Sequence, residues 1–364
     1  MGRSPRTDVP PAELSSFWRP VPVFDLRQSP IRVFSLLAEF PISPRMGRAR
    51  RLAGSRRIRI GLNAVFVSGA LAAAVLTILH FVHAGWPLAN ADPLLVVAAG
   101  ILFLFAYAFK AWGWQRLFPE GQRPEALTLA AAGGAASVGG VALPGRFDEA
   151  IRIAVVRRLP GKTAGFGAIC LTIVVVGLLD SAALTPAASV AAAASEKGSV
   201  QIGFALVAAA GLAAALLVFF LPRLARVGWV ARFKLGRWLQ EHCACRRSAW
   251  QAWMLISVSW ALRALAVFVL LQALAVGASF PLALAFLCAS AASAALPIAP
   301  VGAATQAGAG AAILIVSDVP KAEAVAFAVA AQGLIILAGA VICAVAGLWH
   351  LAARLRRTAA VAAY

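Results

Sequence analysis

Four charged residues crowd into one short stretch of an otherwise apolar chain. They are Arg146, Asp148, Glu149 and Arg152, within Leu143-Pro144-Gly145-Arg146-Phe147-Asp148-Glu149-Ala150-Ile151-Arg152. Gly145 permits a tight turn after Pro144. A helix beginning near Phe147 would aim its free N–H groups and its positive dipole end at that turn, which favours an anion. Arg146 adds a guanidinium fork that matches phosphate in two parallel hydrogen bonds. Asp148 and Glu149 fall in the first helical turn, with Arg152 on the same face three or four residues later. The pattern suits a lipid phosphate held by Arg146 and Arg152, leaving an acid to meet an amine, a sugar hydroxyl or a proton. The plainer reading is a solvated interfacial helix with an internal Glu149–Arg152 pair.

Arg263 is the second candidate for head-group binding. It lies about thirteen residues into an apolar run, roughly 20 Å along a helix. An Arg near the bilayer centre costs at least ~2.5 kcal/mol and generally faces a cavity or a partner. Asp180, Asp148 and Glu149 are the acids that could pair with it. Lys110 is shallower and could snorkel toward water. Thr305 and Gln306 follow a second, uncharged break at Leu296-Pro297-Ile298-Ala299-Pro300-Val301-Gly302, and Gln332 sits mid-way along the last apolar run. With Lys110 and Asp180, these three suit the lining of a cavity or a coupling network; interhelical hydrogen bonds are the alternative.

Other motifs lead nowhere. Gly161-Lys162-Thr163 ends like a phosphate-binding loop, but Val156 stands where that loop needs its first Gly. His80 and His83 have no acidic or Cys partner nearby, and His242-Cys243-Ala244-Cys245 is too short a tract to define a metal site. No Ser/His/Asp arrangement appears. The sequence therefore leads us to expect no metal, no cofactor and no enzymatic centre.

The elements that must position these residues are membrane helices. The chain has 364 residues, is 62% hydrophobic and only 13% charged, and has a mean hydropathy of +0.85. That composition belongs to membrane proteins. The formal charge of +19 does not argue for nucleic acid. The Lys and Arg cluster beside apolar runs, as topology determinants do, and they favour anionic lipids. Cys170, Cys288 and Cys343 lie within apolar runs, where Cys packs as a small hydrophobe.

Residues 1–59 read as a disordered Pro/Arg-rich cytoplasmic tail, ending in a basic cluster from Arg45 to Arg59. No signal peptide precedes the first apolar run, which begins near Ile60. Full spans are expected at about 60–82, 93–118, 163–186, 200–221, 250–275 and 322–350. A basic cytoplasmic loop occupies 222–249, and a cytoplasmic tail 352–364. The runs at 126–143 and 282–296 are different. If 126–143 crossed, Arg146, Arg152, Arg157, Arg158 and Lys162 would lie outside, against the positive-inside bias. The conflict disappears if the chain enters, turns at Pro144-Gly145 and returns along 147–159. The Pro297, Pro300 and Gly302 break would turn a second hairpin, with 303–316 returning.

The expected fold is thus an all-α polytopic membrane protein. It has six full spans, two re-entrant helical hairpins and both termini cytoplasmic. The transmembrane domain covers 60–351 as an inverted-topology repeat, 60–186 and 200–350. Paired, Gly/Pro-interrupted segments of this kind point to a transport site. Eight full spans form the alternative.

Leu143-Pro144-Gly145-Arg146, Glu149 and Arg152 also carry a likeness. So do Pro297, Pro300 and Gly302 in the second break, and Leu178, Leu179 and Asp180. Together they resemble the flippase-like transmembrane domain of the lysylphosphatidylglycerol synthase family, over about 60–351. Gln306 replaces an expected Glu, and Gln332 a frequent Arg. No stretch of this sequence reads as the soluble aminoacyl-transfer domain, so the resemblance is not expected to extend to the synthase reaction. The resemblance implies lipid head-group binding and movement between leaflets of a bacterial inner membrane. The partners would be anionic or phosphate-bearing lipids, including polyprenyl-linked ones in cell-envelope biogenesis. A membrane glycosyltransferase-type enzyme on lipid-linked sugars is a second class, although Asp92, Glu196, Asp318 and Glu323 are its only outer-loop acids. A non-transporting scaffold, as a homodimer or with an envelope enzyme, is the third.

Overall fold

The computed structural model describes residues 91–142, 147–158, 164–224, 245–277, 279–295 and 302–362. The tail, the span at 60–82, residues 225–244 of the basic loop and both break tips lie outside the described residues. Arg146, Pro144, Gly145, Pro297 and Pro300 are among them, as are Lys162, His80, His83, His242 and Cys243.

All regular structure among the described residues is helical. The α-helices are α1 (Pro93–Arg116), α2 (Ala126–Ala142), α3 (Phe147–Arg158), α4 (Phe166–Ala193), α5 (Gly198–Leu224), α6 (Arg246–Ala273), α7 (Phe280–Ala295), α8 (Gly302–Val316) and α9 (Lys321–Ala362). α1, α4, α5, α6 and α9 are long and apolar enough to cross a membrane. The chain is therefore a multi-pass, all-α membrane protein.

Local sequence explains several helix ends. Asp92 caps α1, its carboxylate accepting from the N–H groups of Leu94 and Leu95, with Pro93 at the first helical position. α4 runs on to Ala193 through Pro186, beyond the expected end at 186. Membrane helices tolerate an internal Pro because neighbouring groups re-satisfy the freed carbonyl. α9 continues through 352–362, the stretch read from the sequence as a tail.

The remaining helices are short. α2 has 17 residues, α3 12, α7 16 and α8 15. These lengths correspond to roughly 18–26 Å, less than the ~30 Å hydrocarbon core. α2 packs against α3, and α7 against α8. A glycine makes room in each pair. A β-carbon at Gly139 would collide with the Ile151 side chain, and one at Gly310 with Phe286.

The broadest packing joins α1 to α6, followed by α4 to α5. α2 also packs on α9, and α7 on α4; α1 packs on α2 and α9, α6 on α7 and α4. Apart from α4–α5, exchanging α1 with α6, α2 with α7, α3 with α8 and α4 with α9 maps these pairs onto one another. The α2–α9 contact is backbone on backbone at Gly134 and Gly339, where any side chain would strike a carbonyl. Three apolar clusters fill the interior. Trp260 of α6 borders all three.

Candidate functional site

Polar groups gather where α1 crosses α6. Lys110 of α1 donates to the Asp180 carboxylate of α4 at 2.7 Å. The other oxygen of Asp180 accepts from the Trp260 indole N–H at 2.8 Å. Asp180 is thus a single acceptor shared by donors from two other helices. Lys110 and Asp180 keep 21% and 19% of their side chains exposed. The pair is therefore neither solvated nor sealed.

Arg263 lies one turn beyond Trp260 on α6. Its guanidinium carbon sits 5.0 Å from the Trp260 ring centre and 5.5 Å from that of Tyr107. Lys110 lies 5.8 Å from the same Trp260 ring. Each crossing helix therefore presents an aromatic and a cation three residues apart: Tyr107 with Lys110, Trp260 with Arg263. Each cation rests on the other helix's aromatic ring. Both contacts fall within the ~6 Å reach of a cation–π interaction. Tyr107 is itself fixed, because its hydroxyl meets the Ser137 hydroxyl of α2 and donates to the Ile335 carbonyl of α9 at 3.5 Å. Close packing of the crossing is visible at Ser259, whose hydroxyl donates to the Ala106 carbonyl at 2.7 Å.

The partner choices differ from those weighed in the sequence. Asp180 pairs with Lys110, and Asp148 pairs with Arg152 at 3.4 Å across one helical turn. The internal pair of α3 thus uses the i,i+4 acid, which stacks above Arg152, in place of Glu149. Among the described residues, no carboxylate lies within ion-pair distance of Arg263. Its partners are ring faces, which leave the N–H edge of the guanidinium available.

α3 delivers further charge to the same region. Arg152 and Arg263 are both close enough to Lys110 to act on it electrostatically. Glu149, partly buried in the first turn of α3, similarly influences the Cys170 thiol of α4. Lys110, Asp180, Arg263 and Arg152 are therefore neighbours, although they come from four helices. Thr305 and Gln306 on α8 and Gln332 on α9 are partly buried. No hydrogen bond joins Gln306 or Gln332 to the cluster among the described residues.

Tyr107, Trp260 and Ser137 were not singled out from the sequence. The repeated aromatic-x-x-cation spacing in α1 and α6 was the available signal. Chemically, the arrangement can hold an anion. A partly buried guanidinium resting on two rings retains the fork geometry that suits phosphate, and Asp180 pairs with Lys110 beside it.

Comparison with known protein families matches residues 62–343 to the Lysylphosphatidylglycerol synthase TM region. The chain belongs to this family. Neither a curated protein nor a solved structure matches it. The matched region runs from the first apolar run into α9, so all the cluster residues lie within it. In this family member, the acidic and basic residues of α3 follow directly on the Leu-Pro-Gly-Arg stretch. The Asp180 that ends the Leu-Leu-Asp pattern is the acceptor at the centre of the cluster.

Proposed function

We propose that this protein binds a phosphate-bearing lipid of a bacterial inner membrane and moves its head group between leaflets, making and breaking no covalent bond in it. The observation that carries this reading is Arg263: a membrane-embedded guanidinium held by two aromatic faces, beside a fixed Lys110–Asp180 pair and near Arg152. Ionisable groups inside a membrane face a cavity or a partner and point by default to a functional site. The family assignment supports a role with membrane lipids.

In this reading the helices form an inverted repeat. α1 to α4, with the span before them, correspond to α5 to α9. The short pairs α2–α3 and α7–α8 are the re-entrant hairpins, and both termini are cytoplasmic. The interchangeable packing pairs support it. So does the reciprocal stacking at the α1–α6 crossing, which swapping α1 and α6 reproduces. Rocking of the two halves about this crossing would expose the cluster alternately.

The test uses proteoliposomes carrying a trace of fluorescent phosphatidylglycerol or fluorescent undecaprenyl phosphate. Dithionite quenching reports movement of the probe from the inner leaflet. Wild type should raise the accessible fraction above that of empty liposomes, and Arg263→Ala should abolish the gain. Wild-type vesicles indistinguishable from empty ones with both probes would refute the reading.

A further inference from the structure

α6 carries a second polar feature that the cluster does not use. The Trp253 indole N–H and the Ser257 hydroxyl are buried and have no hydrogen-bond partner among the described residues. They lie one turn apart, on the stripe that continues to Trp260. The stripe rises roughly 10 Å from Trp253 to Trp260, at 1.5 Å per residue. It ends on the indole that donates to Asp180. An indole N–H can only donate. Buried donors are satisfied in the great majority of cases, so a row of two points to an acceptor that arrives from elsewhere.

The surroundings define that acceptor. At the Arg246 end of α6, Trp253 stacks on Trp250 with ring centres 4.9 Å apart. Phe219 of α5 meets both, at 5.8 Å and 6.3 Å. α5 packs closely on α4 but barely touches α6, so among the described residues these three rings are the main contact across the α5–α6 seam at this level. Outside the rings, Arg223, Arg246 and Arg247 are exposed, and Arg223 rests on Phe220. The order along the seam is thus basic mouth, aromatic closure, unpaired donors, cationic cluster. An amphiphile matches it: an anionic, acceptor-rich head drawn in by the arginines, with an apolar chain lying between α5 and α6.

We propose that the α5–α6 seam is a lateral lipid-binding site, in which the phosphate of a lipid docks on Trp253 Nε1 and Ser257 Oγ below Arg263 while its chain remains between the two helices. This rests on the lipid-binding reading above and specifies where the lipid sits. Phe219, Trp250 and Trp253 act as its gate.

The experiment is native mass spectrometry of purified full-length protein with dioleoyl phosphatidylglycerol or with undecaprenyl phosphate. Comparing the two separates a glycerophospholipid from a polyprenyl source. Ser257→Ala deletes its donor with little change of volume, whereas Trp253→Phe deletes the other donor together with one ring of a packed side chain. Each should weaken retention of the preferred lipid roughly tenfold, the loss of one hydrogen bond to a charged acceptor. Ser257→Ala should not lower the melting temperature of the lipid-free protein, because it removes a polar atom that has no partner among the described residues. Unchanged retention in both variants, with loss in Arg263→Ala, would overturn the seam site and leave the lipid-binding reading standing. A clear drop in lipid-free melting temperature in Ser257→Ala would also overturn it, since that donor would then be structural. Retention of neither lipid by wild type would remove both.

Discussion

Replacing Asp180 with Asn removes the carboxylate and leaves Lys110 in place. The two charges are 2.7 Å apart, which corresponds to about 6 kcal/mol of attraction at an effective dielectric of 20. Desolvation offsets part of this, and the fifth of each side chain that stays exposed screens more. Breaking a buried pair by deleting one partner costs about 3–5 kcal/mol, because an uncompensated charge is left behind. We therefore expect about 3 kcal/mol for Asp180→Asn and a similar loss for Lys110→Met. The double variant Lys110→Met/Asp180→Asn should recover most of it, since neither charge is then left without its partner. The assay is a double-mutant cycle on unfolding in mixed micelles, read by circular dichroism. The interaction energy should be at least 2 kcal/mol and favourable in the double variant. Additive losses would show that Lys110 and Asp180 act independently and would refute the shared-acceptor description.

Further tests follow from other contacts. Gly134→Ala should destabilise by about 2 kcal/mol, because its methyl meets the Gly339 backbone. Gly140→Ala faces open space and should be neutral or slightly stabilising in the same unfolding assay. Cys245 is exposed and lies 3.2 Å from the Ser248 hydroxyl. The Ser248 hydroxyl, then its N–H, hold the Cys245 thiol below the ordinary value. Its alkylation should therefore persist to lower pH than that of a free cysteine, and Ser248→Ala should move the rate profile to higher pH. Topology is checked with Gly121→Cys and Arg158→Cys, which flank α2, in a chain whose native cysteines are replaced. Both sites should react with an impermeant maleimide from the same side of the membrane. Labelling from opposite sides would favour eight full spans.

Most helix positions are legible in the linear chain. Apolar length separates the long helices from the short ones. Pro and Gly mark the breaks, and Asp92-Pro93 signals a helix start. Those signals are local, so they survive folding unchanged. α4 shows where locality fails: Pro186 reads as an end, yet neighbouring helices carry the chain on to Ala193. Lys110, Asp180 and Arg263 are also recognisable singly, because a charge within an apolar run is costly wherever it points.

Their partners are not recognisable in that way. Asp180 is equidistant, as far as sequence shows, from several cations on other helices. Helix rotation and the α1–α6 crossing select Lys110 and the Trp260 indole, seventy and eighty residues away in the chain. The same crossing leaves Arg263 on two rings and no carboxylate among the described residues. The sequence by itself determined that charges would be buried in a membrane bundle, because composition and spacing establish burial. Only the tertiary structure decided which charge is paired with a carboxylate and which rests on aromatic rings. That choice depends on angles between helices that no local periodicity encodes.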